Sequence, residues 1–111
     1  MDQPELQKLY SAINVFRTTT DRDIPVQHMV IFLYVVLHDG CLQQVLETAT
    51  GMSGASVSRT LDKLGDVDRH GKPGLKMIRR EQDPDYYKRY RLYLTAKGRD
   101  ISALIRSQLE D

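Results

Sequence analysis

The sequence contains one cysteine, no tryptophan and no apolar run approaching the ~18 residues that a membrane helix needs. A single cysteine excludes an internal disulfide framework and fits a reducing compartment. The amino-terminal residues lack the charged-then-apolar pattern of a signal peptide, so we expect a cytoplasmic protein. Phosphate-binding glycine loops, nucleophile–base motifs and metal-ligand spacings of histidine or cysteine are missing too. These absences argue against an enzyme, a metal site and any other cofactor.

Charge is unevenly distributed along the 111 residues, although the net charge is only +1. Residues 1–50 carry three Lys and Arg against six Asp and Glu, whereas residues 51–111 carry thirteen against nine. Within residues 59–99, twelve basic residues face six acidic ones. A basic second half suits a polyanionic partner such as double-stranded DNA, and a merely solvated basic surface explains the charge equally well.

Helical spacing of apolar residues predicts an amphipathic helix at each end of the chain. The first covers about residues 3–17, with Asp2 as its N-cap, and the last covers about residues 96–109, with Thr95 as its N-cap. The apolar run Met29–Leu37 predicts a further helix, buried on most sides. The length of the chain fits one domain, residues 1–111.

Residues 42–65 predict two helices joined by a short turn. Gly51 ends the first helix, of about residues 42–50, in the left-handed conformation, and Ser53 caps the second through its side-chain oxygen. Such a pair is typical of a helix-turn-helix. The expected inward-facing residues are Val45, Leu46 and Ala49 on the first helix and Val57, Leu61 and Leu64 on the second.

Residues 75–94 predict a β-hairpin that follows the polar loop DVDRHGKPG. LKMIRRE and YRLYLT have strand character, and QDPDYYKR between them, with its Asp-Pro turn signal, predicts the hairpin tip. The order helix, helix, helix-turn-helix, hairpin and helix is that of a winged helix-turn-helix. The expected fold class is therefore mainly α with a small β-hairpin.

The residues also resemble one known family, the MarR-type transcriptional regulators. DGCLQQVLETATGMSGASVSRTLDKL is similar to that family from the end of the second helix through the recognition helix, and the DP and LTAKG segments resemble its wing and next helix. The likeness covers about residues 24–100. Glu47 stands where the family usually has alanine, and Tyr86 and Tyr87 replace its Asp-Arg pair near the wing tip. The resemblance implies a DNA-binding homodimer.

Two surfaces are candidate DNA contacts. The second helix of the pair begins with small and hydroxyl residues, which allow close approach, and its amino end favours phosphate, while Arg59 suits a guanine edge. The basic hairpin suits phosphates or the minor groove. The alternatives are an ordinary capped surface helix and a solvated hairpin, or a winged-helix module that binds another protein. The candidates are Ser53, Ala55, Ser56, Ser58, Arg59 and Lys63 on the helix, and Arg79, Arg80, Lys88, Arg89 and Arg91 on the hairpin.

The terminal helices carry more apolar residues than one small domain needs to cover. We therefore expect them to form a two-fold dimer interface, as the resemblance implies. Interlocked terminal helices leave room for only a small effector pocket, or none, and the pattern identifies no effector. Cys41 is either a small packed residue or a redox switch. The expected dimerisation residues are Leu6, Leu9, Ile13, Phe16, Ile101, Ile105 and Leu109.

Overall fold

The computed structural model of the protein describes residues 2–68 and 70–110. Within those residues it has five helices and a three-stranded antiparallel sheet of order β1-β3-β2. This confirms the fold class, mainly α with a small β-hairpin. The elements are α1 (Pro4–Thr19), α2 (Val26–Leu37), β1 (Cys41–Leu42), α3 (Gln43–Thr50), α4 (Gly54–Leu64), β2 (Ile78–Asp83), β3 (Tyr86–Leu94) and α5 (Ala96–Leu109).

One hydrophobic core joins all five helices to the sheet. The ring centroids of Phe16 on α1 and Phe32 on α2 lie 5.6 Å apart in the core. The stripe predicted for α4 is buried as expected: Val57, Leu61 and Leu64.

The prediction for α3 is wrong at two of its three inward positions. Only Leu46 is buried, while the Val45 side chain is 48% exposed and Ala49 is also exposed. The helix has eight residues, about two turns, so a single large side chain is enough to fill its contact with the core.

Two helices begin at a side-chain cap, both as predicted. Ser53 Oγ accepts from Ser56 N at 3.1 Å, and Thr95 Oγ1 accepts from Gly98 N at 3.0 Å. At the start of α1 the expected Asp2 cap is wrong: Gln3 occupies the N-cap position without a side-chain hydrogen bond. Pro4 follows it at the first helical position, where its missing N–H costs nothing.

The two-residue strand β1 was not predicted from the sequence, because a strand of two residues is too short to show alternation of apolar and polar residues. Cys41 and Leu42 pair with Leu92 and Arg91 of β3. The turn before β1 contains Gly40 at φ 88°, a conformation that favours glycine. Gly40 N also donates to Leu92 O at 2.7 Å. The hairpin is thereby attached to the end of α2.

The loop between α4 and β2 is hydrogen-bonded to the end of α4. Leu75 N and Met77 N donate to Lys63 O and Leu64 O, each at 2.8 Å. These bonds use carbonyl groups that the end of a helix leaves unsatisfied. They hold the hairpin and α4 in one fixed relation. A β-bulge between Gln82 and Asp83 then precedes the hairpin turn.

The two terminal helices pack on each other, and the molecule measures 53 × 27 × 25 Å along its principal axes. The bounds of α5 match the prediction, and α1 runs two residues further than expected, to Thr19. In its last turn the hydroxyls of Thr18 and Thr19 donate back to Asn14 O and Val15 O.

None of the helices within residues 2–68 and 70–110 combines the length and the apolar character that a bilayer crossing requires.

Candidate nucleic-acid interface

The amino end of α4 is open and built from small residues. Ser53, Gly54 and Ala55 are exposed, and Ser56 is half-buried. The Ser53 cap leaves the first N–H groups of the helix on the surface, where their partial positive charge attracts an anion. A broad anionic surface such as a DNA backbone can therefore approach this end closely.

The Glu47 carboxylate lies beside this helix end, a position that the sequence did not predict. An added Cβ on Gly54 would lie 3.4 Å from Glu47 Oε1, an ordinary contact distance, so the Glu47 carboxylate lies directly against the first residue of α4. Gln43 Nε2 links the carboxylate to α4, donating to Glu47 Oε2 at 3.2 Å and to Ser58 Oγ at 3.3 Å. Ser58 is therefore directed towards α3. The i, i+4 spacing of Gln43 and Glu47 was the available signal, but their approach to Gly54 depends on the tertiary fold.

The two basic residues of α4 differ in their surroundings. Arg59 is exposed and makes no ion pair with the residues that the structure describes. Lys63 Nζ lies 3.5 Å from Asp21 Oδ2, on the loop after α1. Both groups are well exposed, so the Lys63–Asp21 pair is weak and open to competition from a phosphate.

The arginines at the base of the hairpin are paired. Arg79 Nε lies 2.7 Å from Glu81 Oε1, and its guanidinium is 5.0 Å from the Tyr93 ring centroid. The Arg80 guanidinium is 5.0 Å from the Tyr90 ring centroid and 4.0 Å from Asp62 of α4. The Arg80–Asp62 pair adds a link between β2 and α4.

At the hairpin tip a buried carboxylate holds two of the candidate arginines. Asp83 is 3% exposed, and its oxygens lie 3.5 Å from Arg89 Nε and 3.7 Å from Arg91 Nε. Arg91 Nη1 also donates to Gly40 O at 3.0 Å, which makes Arg91 a brace between the hairpin and the end of α2. Lys88 is exposed, with Nζ 5.9 Å from the Tyr87 ring centroid.

The hairpin turn is tighter than the sequence indicated. Residues 82–89 were expected to form the tip, yet β2 reaches Asp83 and β3 begins at Tyr86. Asp85 N donates to Asp83 Oδ1 at 3.1 Å, so the Asp83 side chain closes the turn as well as binding the arginines.

The structure divides the expected dimerisation residues into two groups. Phe16, Ile101 and Ile105 belong to the core of the single chain, so the prediction that they face a second copy is wrong. Periodicity placed them on the apolar side of their helices without showing that α1 and α5 bury that side against each other. The members of the set that remain exposed are Leu6, Leu9, Ile13 and Leu109, and the exposed Tyr10 and Leu104 lie on the same two helices.

Cys41 is half-buried in β1. Burial raises the pKa of its thiol, which favours the unreactive protonated form. Among the described residues, no three His, Cys, Asp or Glu side chains cluster in a way that would hold a metal ion.

No protein-family model matches the chain, and no curated protein does. Among solved structures it is similar to MarR, with 25% identity over 90% of this chain and 71% of that one, and a TM-score of 0.65. A mutant of MepR from S. aureus bound to an oligodeoxyribonucleotide is 22% identical over 92% of this chain and 67% of its own, with a TM-score of 0.71.

A third similar structure is the transcriptional regulator Tm0710 from Thermotoga maritima, at 17% identity over 94% of this chain and 66% of that one, with a TM-score of 0.72. The chain thus spans about two thirds of the length of these regulators. Its helices, its hairpin and their order match theirs, which confirms the resemblance at the level of the fold. The chain has the winged-helix fold of the MarR-type transcriptional regulators.

Proposed function

We propose that residues 1–111 act as one winged-helix domain, a non-catalytic, DNA-binding transcriptional regulator. In this proposal α4 enters the major groove and the hairpin contacts the flanking backbone or minor groove. The observation that carries the proposal is the exposed amino end of α4, with the exposed Arg59 about two turns along the same helix. A MepR mutant with this fold has been solved bound to an oligodeoxyribonucleotide, which supports the assignment.

The side chains on this surface favour phosphate and shape recognition over dense base reading. Ser53 and Ser56 offer short hydroxyl groups, and Gly54 and Ala55 offer no polar side chain. Arg59 is long enough to reach a guanine edge. Most sequence preference would therefore come from Arg59 and from the deformability of the DNA.

A homodimer completes the proposed function. The apolar residues that α1 and α5 leave exposed would meet their symmetry mates, because a two-fold contact uses the same patch on both copies. Such a dimer places two α4 helices about 34 Å apart, one turn of DNA. The exposed residues assigned to this interface are Leu6, Leu9, Ile13 and Leu109.

Binding of a labelled random-sequence duplex, followed by fluorescence anisotropy from about 50 to about 300 mM salt, tests the proposal. We expect affinity to fall linearly on a log–log plot, with a slope set by the number of phosphates contacted. Arg59→Ala should weaken binding, whereas Arg106→Ala, which removes an equal charge from the exposed face of α5, should not. A protein-interaction module with this fold would leave the duplex unbound at about 100 µM protein and low salt, and that result would overturn the proposal.

A further inference from the structure

Two adjacent tyrosines form the outer end of the hairpin, directly after the turn at Pro84 and Asp85. Tyr86 is 45% exposed and Tyr87 is 67% exposed, and their ring centroids lie 6.1 Å apart. Neither ring belongs to the hydrophobic core, so the stability of the domain does not account for them. Neighbouring exposed rings at the end of a projecting hairpin suit contact with another molecule.

The cations of the tip are not equally available for such a contact. Arg89 and Arg91 face the buried Asp83 carboxylate, and Arg91 is also bonded to Gly40 O. Lys88 has no acidic partner among residues 2–68 and 70–110. The tip therefore presents two aromatic rings and one ammonium group, while its guanidinium groups are directed towards Asp83.

One of these arginines also holds a tyrosine ring in place. The Arg89 guanidinium lies 5.0 Å from the Tyr86 ring centroid while it is also paired with Asp83. A ring supported from one side by a fixed cation loses little freedom when it binds. Tyr86 is thus a fixed support, and the more exposed Tyr87 projects beside it.

We propose that Tyr87 is the principal DNA contact of the hairpin, entering the minor groove as an aromatic wedge at a base step, with Lys88 on an adjacent phosphate. This rests on the proposed function, that the protein binds duplex DNA. Side chains that wedge between base pairs are large and largely apolar, and the extra protein–DNA contact offsets the unstacking. Asp85 is exposed beside the rings, and its negative charge disfavours a hairpin contact that depends on positive charge alone. A contact made by the neutral tyrosine ring does not depend on charge, so Asp85 does not weaken it in this way.

Two measurements distinguish a wedge from a charge contact. Tyr87→Ala should weaken binding about 5- to 100-fold with an unchanged salt slope, and Tyr87→Phe should bind as the wild type does. Lys88→Ala should lower the slope by about one unit. The fluorescence of a duplex that carries 2-aminopurine at the base step beneath the hairpin should rise when wild type, Tyr87→Phe or Lys88→Ala binds. It should stay low when Tyr87→Ala binds.

The failures of the two proposals are separable. A wild type that binds no duplex would overturn both. Salt-dependent binding without a fluorescence rise, or with full affinity in Tyr87→Ala, would overturn the wedge and leave DNA binding intact. Thermal unfolding of Tyr87→Ala should match the wild type, because the ring buries little in the chain. A change in sedimentation instead of DNA affinity would assign the rings to a protein contact and also overturn the wedge.

Discussion

Replacing Asp83 with asparagine should destabilise the protein and strengthen its binding to DNA at the same time. The Asp83 side chain is 2% exposed, with Arg89 at 3.5 Å and Arg91 at 3.7 Å. Asparagine has the same size and keeps an oxygen for the 3.1 Å bond from Asp85 N. Asp83→Asn therefore removes the negative charge and little else.

The size of the stability loss follows from burial on each side of the pair. Breaking a fully buried ion pair costs about 3–5 kcal/mol, and an exposed pair is worth about 0.2–1 kcal/mol. Both arginine side chains keep about a third of their surface exposed, so solvent screens their charges. The energy of these pairs should therefore lie closer to the range for exposed pairs than to the range for buried ones. We expect a loss of about 1–2 kcal/mol, which lowers Tm by about 4–8 °C for a domain of this size.

The gain in DNA binding comes mainly from Arg89. Arg91 remains bonded to Gly40 O in the variant, but Arg89 loses its acidic partner and can turn to a phosphate. The salt slope should steepen by about one unit, with tighter binding at low salt. This part depends on the proposed function, whereas the stability loss does not.

Circular dichroism melts and anisotropy salt series on the same preparations measure both effects. Asp85→Asn is the matched control, because it removes an equal charge from an exposed position two residues away, in the same turn. That control should leave Tm nearly unchanged, as most surface substitutions do. An Asp83→Asn protein with wild-type Tm, or with the same slope as Asp85→Asn, would show that the carboxylate does not hold the arginines.

Four further outcomes test other parts of the molecule. Arg59→Ala should cost about 1–3 kcal/mol of binding free energy at the best available site, and the same assay on a random duplex gives the comparison. Equal losses on the two duplexes would reject base reading by Arg59. Leu109→Glu should shift a dimer towards monomer in sedimentation, and a wild type that is monomeric at high concentration would refute the interface. Glu47→Gln should tighten binding to all duplexes, because it removes a carboxylate from the amino end of α4, and unchanged affinity would place that carboxylate away from DNA. Burial, with help from the charge of Lys63, lowers the pKa of His28 below the ordinary 6.5, so the unfolded chain binds the extra proton first and stability falls as pH drops below about 6.5. His28→Gln should lose less stability than the wild type between about pH 7 and about pH 5 in urea titrations, and equal losses would remove His28 as the cause.

The features that could be predicted from sequence are those governed by neighbours a few residues apart. A helix repeats every 3.6 residues, so the stripe Val57, Leu61 and Leu64 defines the buried side of α4 without reference to any other element. Capping is equally local, and for that reason Ser53 and Thr95 were recognised correctly. The order of these elements then led to the winged-helix fold.

Only the tertiary structure decided which of the candidate residues are available. Periodicity identifies an apolar face, but it does not show whether a neighbouring helix covers that face, and so Phe16 was assigned to a surface although it is buried. Arg91 is separated by 51 residues from Gly40, to which it donates, and the fold alone brings the two together. The burial of Asp83 depends likewise on the closing of the hairpin. Long-range contacts carry no periodic signal in the chain, and in this protein they determine how much of the hairpin's positive charge faces outwards.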